Sequence, residues 1–117
     1  MFRMCIEMKY NNKDFVCFLD LGFDSIRGKW KSIIIWHLND GPKRFLELQR
    51  VAKGVSQKVL TESLKALENE NIVRKIVYAE IPPKVEYVLT EKGMELSYIL
   101  KSFEKWSVKY YADLVEE

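Results

Sequence analysis

SQKVLTESLKALEN, from Ser56 to Asn69, is the stretch around which the other segments make sense. Leu60, Leu64 and Leu67 recur at i, i+4 and i+7, a spacing that gathers one apolar stripe on an α-helix. Gln57, Lys58, Thr61, Glu62 and Lys65 fall on the other faces. A helix end that carries Ser, Gln, Lys and Thr can set donors against phosphates and reach base edges, because a major groove is wide enough to admit a helix. An ordinary amphipathic helix with a solvated face would show the same spacing, so its neighbours have to decide.

Upstream, Arg44 to Val51 reads as a short helix, with Phe45, Leu48 and Ala52 at helical spacing. Ala52 to Val55, with Gly54 inside it, is a four-residue connection into the next helix. Two helices joined by a short Gly-containing turn, the second polar at its start, are the helix-turn-helix pattern. Downstream, Ile72 to Tyr78 and Val85 to Leu89 are rich in β-branched and aromatic residues, with Ala79 to Lys84 and its two prolines between them. That is a β-hairpin with a stiff loop, and Arg74, Lys75 and Lys84 place positive charge on it. A hairpin directly after a helix-turn-helix is a winged-helix layout, in which the wing reaches along the DNA backbone or into a minor groove.

Working outward, Trp30 to Leu38 predicts a helix buried over most of its circumference, closed by Asp40, Gly41 and Pro42. His37 is the sole histidine, and inside so apolar an element it reads as a packing side chain. Phe15, Leu19, Phe23 and Ile26 suggest a first helix, or two short helical turns, ending at Gly28. Residues 1–14 read as an arm: Met4, Ile6 and Met8 alternate like a short strand, and Asn11 to Asp14 break the pattern. Thr90 caps a final helix, with Glu91 at its positive end. Its stripe of Leu96, Ile99, Leu100, Phe103, Trp106, Tyr110 and Leu114 is more apolar than one helix on a small domain needs. A second copy covering part of it would carry two reading helices to adjacent half-sites.

The expected fold is therefore mainly α with a small β-hairpin, a winged helix-turn-helix over residues 15–117 whose last helix is partly covered by a second copy. With 117 residues and 48% apolar content, one domain with a modest core is expected. The net charge of +2 is uninformative, but Gly41 to Lys84 holds nine Lys and Arg against five Asp and Glu, and Thr90 to Glu117 holds four against six. A basic middle and a mildly acidic end suit one face toward a polyanion and another toward protein. No apolar run approaches the roughly 20 residues of a membrane span. The mixed charges of the first residues lack a signal-peptide core, and the expectation is a cytoplasmic protein. Cys5 and Cys17 are too few for a zinc site. A Gly-rich phosphate loop, a nucleophile with its base and a metal cluster are all missing from the sequence, so neither catalysis nor a cofactor is expected.

Four stretches, in this order and at these spacings, resemble the HxlR-type transcriptional regulators, small bacterial and archaeal winged-helix proteins related in architecture to the MarR regulators. They are Gly28-Lys29-Trp30; Asp40 to Phe45 with Leu48; Ser56 to Thr61 through Leu64, Leu67 and Glu68; and Pro82 to Tyr87 leading to Leu89, Thr90 and Gly93. The resemblance runs from about Cys17 to Tyr110. It implies a homodimer, joined through the first and last helices, that binds double-stranded DNA. It also puts Ser56, Gln57, Lys58 and Thr61 at the start of the reading helix, Arg44 at the helix before it and the wing over Arg74 to Glu86. Some family members respond to oxidants or electrophiles through a cysteine near the start of the first helix, and Cys17 stands there, thirteen residues before Trp30. Phe18 follows it where the family commonly has proline.

The residues themselves assign phosphate anchoring to Arg44, Lys58, Arg74, Lys75 and Lys84, and base-edge contacts to Gln57, Thr61 and Lys58 or Lys65. Glu62 can accept from a cytosine amino group or pair with Lys58. Cys17 is either a reactive thiol, since a helix N-terminus favours thiolates, or inert packing. Phe15, Phe18, Phe23, Trp30, Trp36, Phe103 and Trp106 supply either core or the walls of a small-molecule effector site. The alternative function is a winged-helix protein-protein module that never touches DNA.

Overall fold

In the computed structural model, which describes residues 8–116, each segment takes up the structure its local chemistry favours. Met8–Tyr10 (β1) and Lys13–Phe15 (β2) pair antiparallel, with Met8 opposite Phe15. Asn11 and Asn12 turn the chain with φ of 51° and 63°, and asparagine is among the few residues that accept this left-handed pair. The Asn11 to Asp14 stretch, expected to break the pattern, is thus the turn and second strand of a hairpin, and the expected arm boundary after Asp14 falls inside β2. Met4, Ile6 and Cys5 lie outside the described residues.

Phe18–Asp24 forms α1, with Cys17 in extended backbone at its N-cap. This helix starts later than the Phe15/Leu19/Phe23 spacing suggests, because Phe15 is held at the end of β2 and buried there. Trp30–Leu38 (α2) matches its expected span, and its Ile34, Ile35 and Leu38 are fully enclosed. Phe45–Val51 (α3) and Gln57–Asn69 (α4) form the helix-turn-helix. Gly54 sits between them with φ of 95°, a conformation that side-chain-bearing residues rarely adopt.

Val73–Tyr78 (β3) and Lys84–Leu89 (β4) make the second hairpin, registered from Val73 opposite Leu89 to Tyr78 opposite Lys84. Glu91–Tyr111 (α5) closes the chain, and the Thr90 hydroxyl accepts the Gly93 N–H at 3.0 Å as its cap. The core gathers Leu48 of α3, Leu60, Leu64 and Leu67 of α4, the α2 residues, Ile72, Val73 and Leu100. Burial of such side chains contributes roughly 1.5–3 kcal/mol each, which makes this cluster the main source of stability. One polar link crosses it: Asn39 Nδ2 donates to Ser97 Oγ at 2.9 Å, and Ser97 Oγ donates to the Met94 carbonyl at 2.6 Å, tying the end of α2 to α5.

Two backbone contacts fix the helix-turn-helix against the hairpin. Lys43, in the connection before α3, exchanges both of its backbone hydrogen bonds with Tyr87 of β4, at 3.1 and 2.8 Å. At the other end, Ile72 receives the Thr90 N–H at 3.0 Å and donates to the Leu67 carbonyl at 2.9 Å, so the end of α4, the start of β3 and the start of α5 meet at one residue.

Candidate nucleic-acid interface

The leucine stripe of α4 faces the core, so the opposite side must face outward: Gln57, Lys58, Thr61, Glu62 and Lys65 are all exposed. Ser56 sits at the N-cap in extended backbone, and its Oγ accepts the Val59 N–H at 3.1 Å. That bond satisfies one of the free donors at the helix start and sets the direction in which α4 leaves the turn. Thr61 Oγ1 donates to the Gln57 carbonyl at 2.8 Å.

Arg44 is not within α3 but caps it, and its backbone N–H donates to Glu47 Oε1 at 2.8 Å. Its guanidinium is left out of any salt bridge among the described residues. The same holds for Lys58, Lys65, Arg74 and Lys75, all exposed. Uncompensated cations on a solvent-facing surface are free to neutralise phosphates. Lys84 differs. Its Nζ lies 3.7 Å from Glu86 Oε2 and 4.7 Å from the centre of the Tyr78 ring, and the Tyr78 hydroxyl donates to Glu86 Oε1 at 2.9 Å. The hydrogen bond to the Glu86 carboxylate pushes the Tyr78 phenol above its usual range, and the three side chains form a brace along the wing in which Glu86 offsets Lys84.

Between α4 and the hairpin runs a groove of about 320 Å³ lined by Phe45, Gln57, Thr61, Leu64, Lys65, Glu68, Lys75 and Tyr87. It brings together four of the residues singled out from sequence, Gln57, Thr61, Lys65 and Lys75. Arg44, Ser56, Lys58, Arg74 and Lys84 are not among its lining, and Cys17 is at the start of α1. Tyr87 was not singled out as a functional residue, although it belongs to the buried-facing set of β4 and Lys75 Nζ lies 5.9 Å from its ring centre. Its alternation with Val85 and Leu89 marks an inward position, but nothing in sequence places it beside α4. Beyond the groove, the hairpin tip exposes Ile81 completely.

On the far side, a second groove of about 320 Å³ lies between α2 and α5, lined by Ile33, Trp36, His37, Leu100, Phe103 and Glu104 with Ser32 and Ser107. Past it, Phe103 stacks on Trp106 at 5.9 Å, and Trp106 meets Tyr110 at 5.6 Å, all largely exposed. On α1, Phe18, Leu19 and Phe23 are exposed too, with Leu19 at 69%. Among the described residues no group of His, Cys, Asp and Glu is arranged to hold a metal ion, and no helix is long and apolar enough to cross a membrane.

Residues 25–114 match the family model described as HxlR-like helix-turn-helix. The uncharacterized HTH-type transcriptional regulator YdeP of Bacillus subtilis (strain 168) is 40% identical over 106 residues, covering 90% of this chain and 83% of YdeP. Among solved structures, the redox regulator HypR in its oxidized form is similar with a TM-score of 0.75 and 42% identity, over 80% of this chain and 96% of HypR. The reduced form of the transcriptional regulator YodB from B. subtilis gives 0.71 and 38%, over 80% and 92%. These relatives are regulators, not enzymes. With a helix-turn-helix, a wing and a match across most of its length, the chain belongs to the HxlR-like helix-turn-helix family of transcriptional regulators.

Proposed function

We propose that this chain is a sequence-specific regulator that binds double-stranded DNA as a homodimer, with the start of α4 in the major groove and the β3–β4 wing along the flanking backbone. Arg44, Lys58, Arg74 and Lys75 hold phosphates, with a smaller share from Lys84 because Glu86 already engages it. Gln57, Thr61 and Lys65 face base edges, and Ser56 shapes the helix start while offering its O–H to a phosphate. The observation that carries this reading is the set of exposed cations, on α4 and near it, that form no salt bridge among the described residues.

The homodimer rests on the exposed apolar side chains of α1 and of the second half of α5, with Leu114 just past its end 72% exposed. Large apolar side chains exposed in such number are what a covered interface looks like on an isolated chain. Cys17 is the proposed site of response to an oxidant or electrophile: it is half-buried at the N-cap of α1, and so adjoins the surface that would join two copies. An effector molecule has a place in the α2–α5 groove.

Binding to a labelled pool of DNA from the source genome, measured over a salt series with reduced and mildly oxidised protein, tests the reading. Four phosphate contacts per subunit predict a log–log salt slope of about −7 for the dimer. Sedimentation is expected to give about twice the 13.9 kDa chain mass, falling to one chain in Trp106→Glu. Oxidation is expected to change selective binding in the native protein and not in Cys17→Ser. Selective binding indifferent to oxidation removes the thiol switch alone. A flat salt dependence replaces the regulator with a protein-protein module.

A further inference from the structure

We infer that Thr61 reads the 5-methyl group of a thymine in the operator half-site, an inference that rests on the DNA-binding reading above. The polar side chains at the start of α4 are not equivalent, because the helix itself engages two of their hydroxyls. Ser56 Oγ accepts the Val59 N–H, which ties its oxygen to the first turn. Thr61 Oγ1 donates its only proton to the Gln57 carbonyl at 2.8 Å, which draws the oxygen back against the preceding turn.

A threonine Cβ carries one oxygen and one methyl. With the oxygen turned toward the backbone and the residue exposed, the methyl is the group that the side chain offers outward. Among base edges in a major groove, the apolar partner for such a group is the thymine C5 methyl. Donation to guanine N7 or O6, or to thymine O4, has no proton left. The oxygen keeps lone pairs available to an adenine or cytosine amino group, a readout by the hydroxyl that the Thr61→Ser and Thr61→Val variants separate from the methyl contact. Gln57 lies one turn before Thr61 on the same exposed face and lines the same groove. Its amide keeps a donor and an acceptor for a neighbouring base, so the apolar contact of Thr61 adds a different kind of discrimination.

The test begins with selection of a preferred half-site from randomised DNA by the full chain. Each thymine is then replaced in turn by deoxyuridine, which removes only the C5 methyl, and affinities are measured by fluorescence anisotropy at fixed salt. At one position per half-site, the substitution is expected to weaken native binding about fourfold, the factor for one buried methyl. Thr61→Ser keeps the hydroxyl and loses the methyl; it should bind thymine DNA about fourfold more weakly and ignore the uracil. Thr61→Val should keep the discrimination. Tolerance of uracil at every position by the native protein overturns the inference. So does discrimination retained in Thr61→Ser and lost in Thr61→Val, which would give the readout to the hydroxyl. A selection that yields no preferred sequence removes the DNA-reading function, and this inference with it; a preferred sequence without a methyl effect removes this inference alone.

Discussion

Gly93→Ala sets two opposing effects against each other, and the structure decides which wins. Gly93 lies in the first turn of α5, where alanine would ordinarily stabilise a helix by about 1 kcal/mol relative to glycine. A Cβ there, however, would collide with the carbonyl oxygen of Ile72 and come within 3.1 Å of both the Ile72 carbonyl carbon and Leu89 Cδ2. That carbonyl cannot swing aside as a side chain could. Ile72 is fully buried, its oxygen accepts the Thr90 N–H, and its own N–H is bonded to Leu67. Overpacking against fixed backbone costs about 3 kcal/mol, the upper end of the usual range, which leaves a net loss of about 2 kcal/mol. For a chain of this size 1 kcal/mol corresponds to about 4 °C, so Tm is expected to fall by about 8 °C. Thermal and urea unfolding followed by circular dichroism would measure it, with both proteins at one concentration so that association contributes equally. A Gly93→Ala protein as stable as the native one, or more so, would refute the claim that α5 is docked this closely on Ile72.

Ser56→Ala removes the acceptor for the Val59 N–H, and unfolding should show a loss of about 1 kcal/mol even without DNA. For His37, burial foremost and then Lys43 hold the imidazole below its ordinary 6.5, with Asp40 opposing. The unfolded chain therefore takes up that proton more readily; stability is full above about pH 6.5 and should decline as pH falls toward 5, and His37→Gln should flatten this part of a Tm-against-pH profile. Lys58→Ala should weaken DNA binding about equally for all sequences and reduce the salt slope by about 1 per subunit, whereas Lys84→Ala, whose charge Glu86 offsets, should change the slope less. Equal slopes for the two variants would argue against ranking the cations by their ion pairing.

Much of the fold was legible because periodicity and punctuation agreed. The apolar run from Trp30 to Leu38 and the leucines of α4 showed their helices directly, and the second hairpin was placed within a residue of its observed ends. The first hairpin was missed because Asn11-Asn12 was read as the end of a pattern rather than as a pair suited to a left-handed turn. The first helix was begun too early because Phe15, which fits the spacing of Leu19 and Phe23, is held by its pairing with Met8. For the candidate site, residue type and spacing point to side chains on α4 and the wing but not to the groove that joins them. Phe45, Tyr87 and Glu68 of α4 itself complete that groove, and the backbone exchange between Lys43 and Tyr87 holds the first two together beside it. Sequence likewise could not show that Lys84 is paired with a carboxylate while Lys75 forms no salt bridge among the described residues.

That exchange also bears on how such a molecule could be regulated. Lys43 stitches the connection ahead of α3 onto β4 along the backbone, while Ile72 joins the far end of α4 to β3 and α5. Helix-turn-helix and wing are thus tied at two places by backbone hydrogen bonds and form one gauge. A signal that changes DNA affinity has little play to exploit inside a single copy. In the proposed dimer, the adjustable dimension is the spacing and tilt between two such gauges, set where α1 and α5 of one copy lean on those of the other.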